Sequence, residues 1–243
     1  MNPATTGSPA PRQRLSRDVV LAAALDLADR EGDGGLSMRT LATELGVVPM
    51  ALYKHVANKD ELIDGIVDLV WAQVEPPDTS DDVTHWRPAM RSRAASLRRT
   101  LRRHPWAVGL LETRMRPGPA NLAQHDAMMG CLRRAGFSFR TTVHVTSVLD
   151  AYVYGFALQE QTLPFDTAEE SGDVARQKLE QQPAEFAAAF PYLVEVVTEL
   201  GAAGYDYDSE FATGLDLILD GVEHLRPAWS TVDAPPPAAG ASR

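Results

Sequence analysis

Residues 37–56 read Ser37-Met38-Arg39-Thr40-Leu41-Ala42-Thr43-Glu44-Leu45-Gly46-Val47-Val48-Pro49-Met50-Ala51-Leu52-Tyr53-Lys54-His55-Val56. Ser37 predicts a helix start, because its side-chain oxygen can accept from an amide that the first turn leaves free. Leu36 before it and Leu41 beyond it fit a hydrophobic staple. Leu41, Ala42 and Leu45 then form an inward face. Gly46 stands where the residue after a helix needs positive φ. Pro49 suits the first turn of a second short helix, where its missing N–H costs nothing. Two short helices joined by a tight glycine turn make a helix-turn-helix. Ala42 is small where the second helix crosses closely, and Val47 and Leu52 plug the space between the two. Pro49, Met50, Ala51, Tyr53, Lys54 and His55 are left facing outward. In this geometry the start of the second helix enters the major groove of DNA. A purely structural helical hairpin is the alternative reading.

The flanks extend the pattern. A helix over 16–31 starts at the cap candidate Ser16 and carries Val20, Ala23, Ala24, Leu27 and Ala28 at helical spacing. Gly32, Gly34 and Gly35 end it. Asn58 and Glu61 resemble a capping box opening a helix to about Val74, with Asp60 and Glu61 at its positive end. A loop is expected over 75–84, then helices over 85–103, 105–113, 120–135 and 138–161. A polar loop over 163–182 and helices over 183–200 and 207–225 complete the body. No strand-like alternation and no internal repeat is present. The expected fold is all-α: a disordered arm over 1–14, a three-helix DNA-binding head over 15–60, a ligand-binding and dimerisation body over 61–227, and a disordered tail over 228–243.

Charge and composition bound the partners. The net charge is −10, yet residues 1–60 carry seven basic and seven acidic residues, so the whole excess lies beyond the head. Nucleic acid would meet the neutral head and be repelled by the body. The single cysteine, Cys131, cannot staple the fold and gives no sign of an oxidising compartment. No apolar run reaches the ~18 residues of a membrane span. The start has no apolar signal region. A cytoplasmic protein without membrane contact is expected. No GxSxG, P-loop, HExxH or paired-carboxylate motif occurs, so nothing supports an enzyme.

The run Leu52-Tyr53-Lys54-His55-Val56-Ala57-Asn58-Lys59-Asp60-Glu61-Leu62, within a match over 36–70, resembles the tetracycline-repressor family of regulators. That resemblance implies DNA contacts by Arg39, Tyr53, Lys54, His55 and Lys59. Tyr53, His55 and Lys59 would grip phosphate, and Arg39 would reach a guanine. Pro49, Met50 and Ala51 would face base edges, the apolar pair suiting thymine methyl groups. Weaker likeness over 104–114, 132–138 and 155–161 points to the tetracycline repressor's own branch. Here the sequence departs from it. The slot of its magnesium-binding histidine is Leu110, its helix-four pocket histidine matches Glu75, and its water-linked carboxylate matches Gln159. The resemblance therefore implies an effector other than a magnesium-chelated tetracycline.

The implied function is a homodimeric repressor on a palindromic operator, released by a small molecule. A helical small-molecule-binding protein without sequence-specific DNA reading is the alternative. The effector would lie among Arg93, Leu97, Leu110, Thr113 and Met128 on one side, and Thr146, Ser147, Asp150, Tyr154 and Gln159 on the other. Arg93 could pair an acidic ligand group. Met128 reads equally as core. His125, His144 and Asp150 lack the close spacing of a metal site, so no metal and no cofactor is expected. Seven arginines between Arg87 and Arg103 read as a solvated helix side paired with the acidic body. Dimerisation is expected through 138–161 and 207–225. On the latter, Phe211, Leu215, Ile218, Val222 and Leu225, widened by Gly214, Leu217, Leu219 and Gly221, offer more apolar surface than one core face needs.

Overall fold

The structure, a computed structural model, describes residues 14–78, 85–165, 167–183 and 185–225. All but one residue of the expected arm, and the whole expected tail, lie outside this range. Among the described residues the fold is all-α.

The head contains α1 (Arg17–Gly35), α2 (Met38–Glu44) and α3 (Pro49–Leu52), and α4 (Lys59–Trp71) follows it. Each start has a local cause. Ser16 accepts from Val19 N, and Ser37 exchanges hydrogen bonds with Thr40 in a capping box. Asn58 Oδ1 accepts from Glu61 N at 2.8 Å. Glu61 reaches back one residue further than a capping box requires, accepting from Ala57 N at 2.7 Å. The helical geometry of α1 breaks at Gly32, whose φ is +72°. Leu36, Leu41, Leu52 and Leu62 are fully buried and seal the head.

Gly46 has φ +64°, the left-handed conformation that turns α2 into α3. A methyl group there meets nothing within 4 Å, so only backbone strain opposes it. Gly46→Ala is expected to cost about 1–2 kcal/mol. Urea unfolding would read this, and Gly46→Asn should cost less because asparagine tolerates that region.

The body comprises α5 (Trp86–Arg103), a 3-10 turn (Pro105–Ala107), α6 (Pro119–Arg134), α7 (Phe139–Glu160), α8 (Ala168–Glu180), α9 (Phe186–Ala189), α10 (Pro191–Ala203) and α11 (Tyr207–Glu223). α5 packs on α6 and α7, α6 also on α4, and α11 on α7. α8 and α10 form a pair packed on each other.

Three expectations are corrected. The helix expected over 105–113 is only the 3-10 turn followed by turns through Thr113. Residues 163–182 are not a loop throughout: α8 forms there. Its start is a capping box of Thr167 and Glu170, a four-residue signal hidden by the segment's polarity. The helix expected over 183–200 is interrupted at Phe190, because Pro191 restricts the residue before it and starts α10.

Candidate functional site

Outward exposure sorts the helix-turn-helix. Pro49, Met50, Tyr53 and Lys54 on and after α3 are exposed, as are Arg39 on α2 and Lys59 at the start of α4. Ala51 and His55 are half-buried. Val48 and Met50 are 68% and 72% exposed. Lys59 opens α4 at its positive dipole end, where a cation is unfavourable without an anion nearby. Among the described residues no ion pair within 4.0 Å engages Arg39, Lys54 or Lys59.

The arginines of α5 behave differently. Arg87 and Arg91 pair with Asp216 on α11, and Arg87 also with Asp220. Arg98 and Arg102 pair with Glu160 and Asp208, and Arg99 with Glu75. Their charge is spent on the acidic body.

Side-chain contacts tie both α1 of the head and α4 behind it to the rest of the body. On α1, Asp29 holds His104 Nδ1 at 2.7 Å and accepts from Trp106 Nε1 at 2.7 Å. On α4, Arg114 donates from Nε to Asp64 at 2.5 Å and from Nη2 to the Asp60 carbonyl at 3.3 Å. Asp68 accepts from Asn121 N at 3.0 Å, and fully buried Trp71 meets the His125 ring edge-on at 5.3 Å. Arg114 and Trp71 were not singled out from sequence. Arg114 falls within the stretch 104–114 that is similar to the tetracycline repressor, and nothing in the sequence points to Trp71.

A cavity of about 390 Å³ lies between the Glu112 turn, α6 and α7. Thr146, Ser147, Asp150 and Tyr154 line it, with Glu112, His125, Met129, Val143 and Ala151. The other six expected pocket residues stand elsewhere. Leu97 and Met128 are wholly buried in the core, the inward faces of α5 and α6 being filled by packing. Arg93 is also buried, behind the cavity wall, donating from Nη1 to Asp150 Oδ1 at 2.8 Å. Leu110 is half-buried against the core. Thr113 is exposed, its hydroxyl turned back to the Gly109 and Leu110 carbonyls. Gln159 is exposed on α7.

The cavity wall is largely apolar, and its few polar groups are bonded to one another or to groups behind it. Tyr154 donates to Glu112 at 2.8 Å. Burial, with the Asp150 and Glu112 charges adding, pushes its phenol well above the usual range, so it remains a donor. His125 and Asp150, remote in sequence, meet here together with Glu112, whereas His144 is exposed on α7. Spacing along the chain could not show this, because the packing of α6 on α7 makes the encounter. A second cavity, of about 590 Å³, lies where Leu101, Ala157 and Glu160 meet Phe165, Tyr205 and Tyr207, and no residue of it was expected from sequence.

No helix of the described residues is long and apolar enough to cross a membrane. A family described as bacterial regulatory proteins of the tetR family matches residues 20–66. One described as tetracyclin repressor-like, C-terminal domain, matches 77–226. The chain is 31% identical to the HTH-type transcriptional repressor DrrR1 of Streptomyces coeruleorubidus, over 88% of this chain and 80% of that protein. It is 31% identical to the class A tetracycline repressor from transposon 1721 of Escherichia coli, over 91% of this chain and 97% of that one. The structure of Streptomyces coelicolor ActR in complex with actinorhodin superposes with a TM-score of 0.73 at 29% identity, covering 89% of this chain and all of ActR. With a matching tetR reading head joined to a matching tetracycline-repressor-like body, the chain belongs to the tetR family of bacterial regulatory proteins.

Proposed function

We propose that this chain is a cytoplasmic, non-enzymatic repressor that binds a palindromic operator as a homodimer and releases it when a small molecule enters the body. The observation that carries this is the contrast in charge pairing. Six of the seven α5 arginines pair with carboxylates, Arg103 being the exception, while Arg39, Lys54 and Lys59, on the segment that carries exposed Val48 and Met50, are exposed and make no ion pair among the described residues. A cationic rim around an apolar tip suits phosphate on two sides and thymine methyl groups between. The head would comprise residues 15–60 and the body 61–227.

One head reads one half-site, and two must sit ~34–36 Å apart. Both α7 and α11 carry an outward stripe that one chain leaves uncovered. On α7 it runs through Val148, Ala151, Gly155 and Leu158; on α11 through Leu217 and Gly221, with exposed Leu225 just beyond the helix end, whereas Gly214 packs against Tyr152 of α7. A Cβ at Gly155 or Gly221 would meet nothing within 4 Å, so these positions have room for a second copy's helices. An isologous pairing there supports two-fold operator symmetry.

Release would run through α4. His125 lines the cavity and touches Trp71, and Arg114 leaves the same turn segment as Glu112 to hold α4. An occupant that shifts either contact would swing α4 and the head it follows, changing the spacing of the two heads. The coupling required is ~1–3 kcal/mol or more. The 590 Å³ cavity has no α4 residue in its lining, whereas the one at Thr146, Ser147, Asp150 and Tyr154 shares Glu112 and His125 with a smaller cavity of about 210 Å³ that is lined by Asp64, Asp68 and Trp71 of α4.

The test is binding to fluorescent DNA covering the gene's own upstream region, at two salt concentrations, against scrambled DNA. Tight, salt-sensitive and sequence-specific binding is expected. Lys59→Ala and His55→Ala should weaken binding across all sequences, each lowering the salt slope by about one phosphate contact. Unchanged affinity and slope for Lys59→Ala would defeat this docking. Salt-insensitive binding would favour a small-molecule-binding protein that does not read DNA.

A further inference from the structure

We infer that Glu112, His125 and Asp150 form a binding site for a first-row divalent cation of the zinc, cobalt or nickel type on the wall of the 390 Å³ cavity. The three come from three separate places: the turn after the 3-10 segment, α6 and α7. One ligand atom from each lies within 4.8 Å of the other two. Leu110, the slot that resemblance ties to magnesium, takes no part.

The imidazole is held as a ligand. His125 Nδ1 lies 2.9 Å from the Asn121 carbonyl. A carbonyl only accepts, so Nδ1 carries the proton and Nε2 of the neutral ring keeps its lone pair. Nε2 points to Glu112 Oε1 at 4.0 Å. Metal-binding histidines have their other nitrogen fixed in this way.

The carboxylates are also oriented from behind. Tyr154 donates to Glu112 Oε1, and Arg93 donates to Asp150 Oδ1. Each of the three ligands thus has an outer partner: a carbonyl, a phenol and a guanidinium. Among the described residues Arg93 is the one Lys or Arg bonded to either of the two carboxylates on this wall, so one negative charge is left over. A divalent cation would more than offset it.

The donor set selects the metal class. One imidazole and two carboxylates suit borderline first-row ions, whereas magnesium and calcium demand mostly oxygen. Metal–ligand distances of ~2.0–2.2 Å require the ligand atoms to close by roughly 1 Å. Rotation of exposed Glu112 can supply this. Three protein ligands leave at least one coordination position toward the cavity.

The experiment uses the full chain, tag-free, stripped with chelator and desalted. It is titrated with cobalt(II), read by visible d–d absorption, and with zinc(II) and nickel(II), read by calorimetry. One ion per protomer is expected. Glu112→Gln and His125→Gln should each weaken binding about 100-fold or more, and Tyr154→Phe by about 10-fold or more. His144→Gln, exposed on the same helix as Asp150, should change nothing. Circular dichroism melts check folding, and if His125→Gln unfolds, exposed Glu112→Gln decides. Absence of binding for all three ions, or binding unchanged in Glu112→Gln, overturns the site. The titration needs no operator, so its failure leaves the DNA-binding reading intact, and failure of DNA binding leaves the site intact.

Discussion

Replacing Trp71 with alanine is expected to remove about 3–5 kcal/mol of stability, the usual cost of emptying a fully buried aromatic site. Trp71 is wholly buried in the last turn of α4 and abuts the His125 ring. Its indole N–H has no partner among the described residues, so its value is packing rather than hydrogen bonding. The neighbours belong to α4 and α6, held in place by the Asp68–Asn121 and Arg114–Asp64 contacts. They cannot collapse fully into the space, which places the loss toward the upper end. Urea unfolding measures it, and Trp71→Phe should recover most of the loss. A cost below about 1 kcal/mol would mean that α4 does not rest on this side chain. Transmission from His125 through Trp71 to α4 would then fail as well.

Asp150→Ala, measured without metal, is expected to cost about 3–5 kcal/mol, as breaking one half of a buried ion pair does. Arg93 is 1% exposed and Asp150 is its only charged partner among the described residues. Arg93 Nε and Nη2 already lack partners there. Removing the carboxylate leaves a guanidinium buried with no counter-charge. The paired variant Arg93→Met with Asp150→Leu should fall within about 1 kcal/mol of the parent or above it, since replacing both charges by apolar groups is often neutral or stabilising. The double-mutant cycle separates the two outcomes by a coupling that no surface pair would show. Additive effects would show that Arg93 is satisfied elsewhere.

These two residues also mark how far sequence reading reached. Arg93 and Asp150 were both expected at the effector site, and they do meet, with Asp150 on the wall of the 390 Å³ cavity and Arg93 behind it. Helical periodicity says which side of α5 faces inward. It does not say whether the inward space is core or cavity, because that depends on how fully α6 and α7 fill it. Leu97 and Met128 fell on the core side for that reason. Trp71 carries no motif of its own in the sequence, and its edge-on contact with His125 exists only once α6 packs on α4.

By itself the sequence determined the all-α class, the helix-turn-helix and its outward residues, and most helix starts. Ser16, Ser37, Asn58 and Gly46 act through bonds and dihedrals within four residues, and such effects hold wherever the segment sits. The match of residues 36–70 to the tetracycline-repressor family was legible for the same reason. α8 was equally local, its capping box at Thr167 and Glu170 outweighed in the reading by a polar composition. Tertiary structure alone decided the cavity, the Trp71–His125 contact, the grip of Arg114 on α4 and the convergence of Glu112, His125 and Asp150. Each joins side chains from separate helices, so each depends on crossing angles and packed volume, which the order of residues in a single segment does not encode.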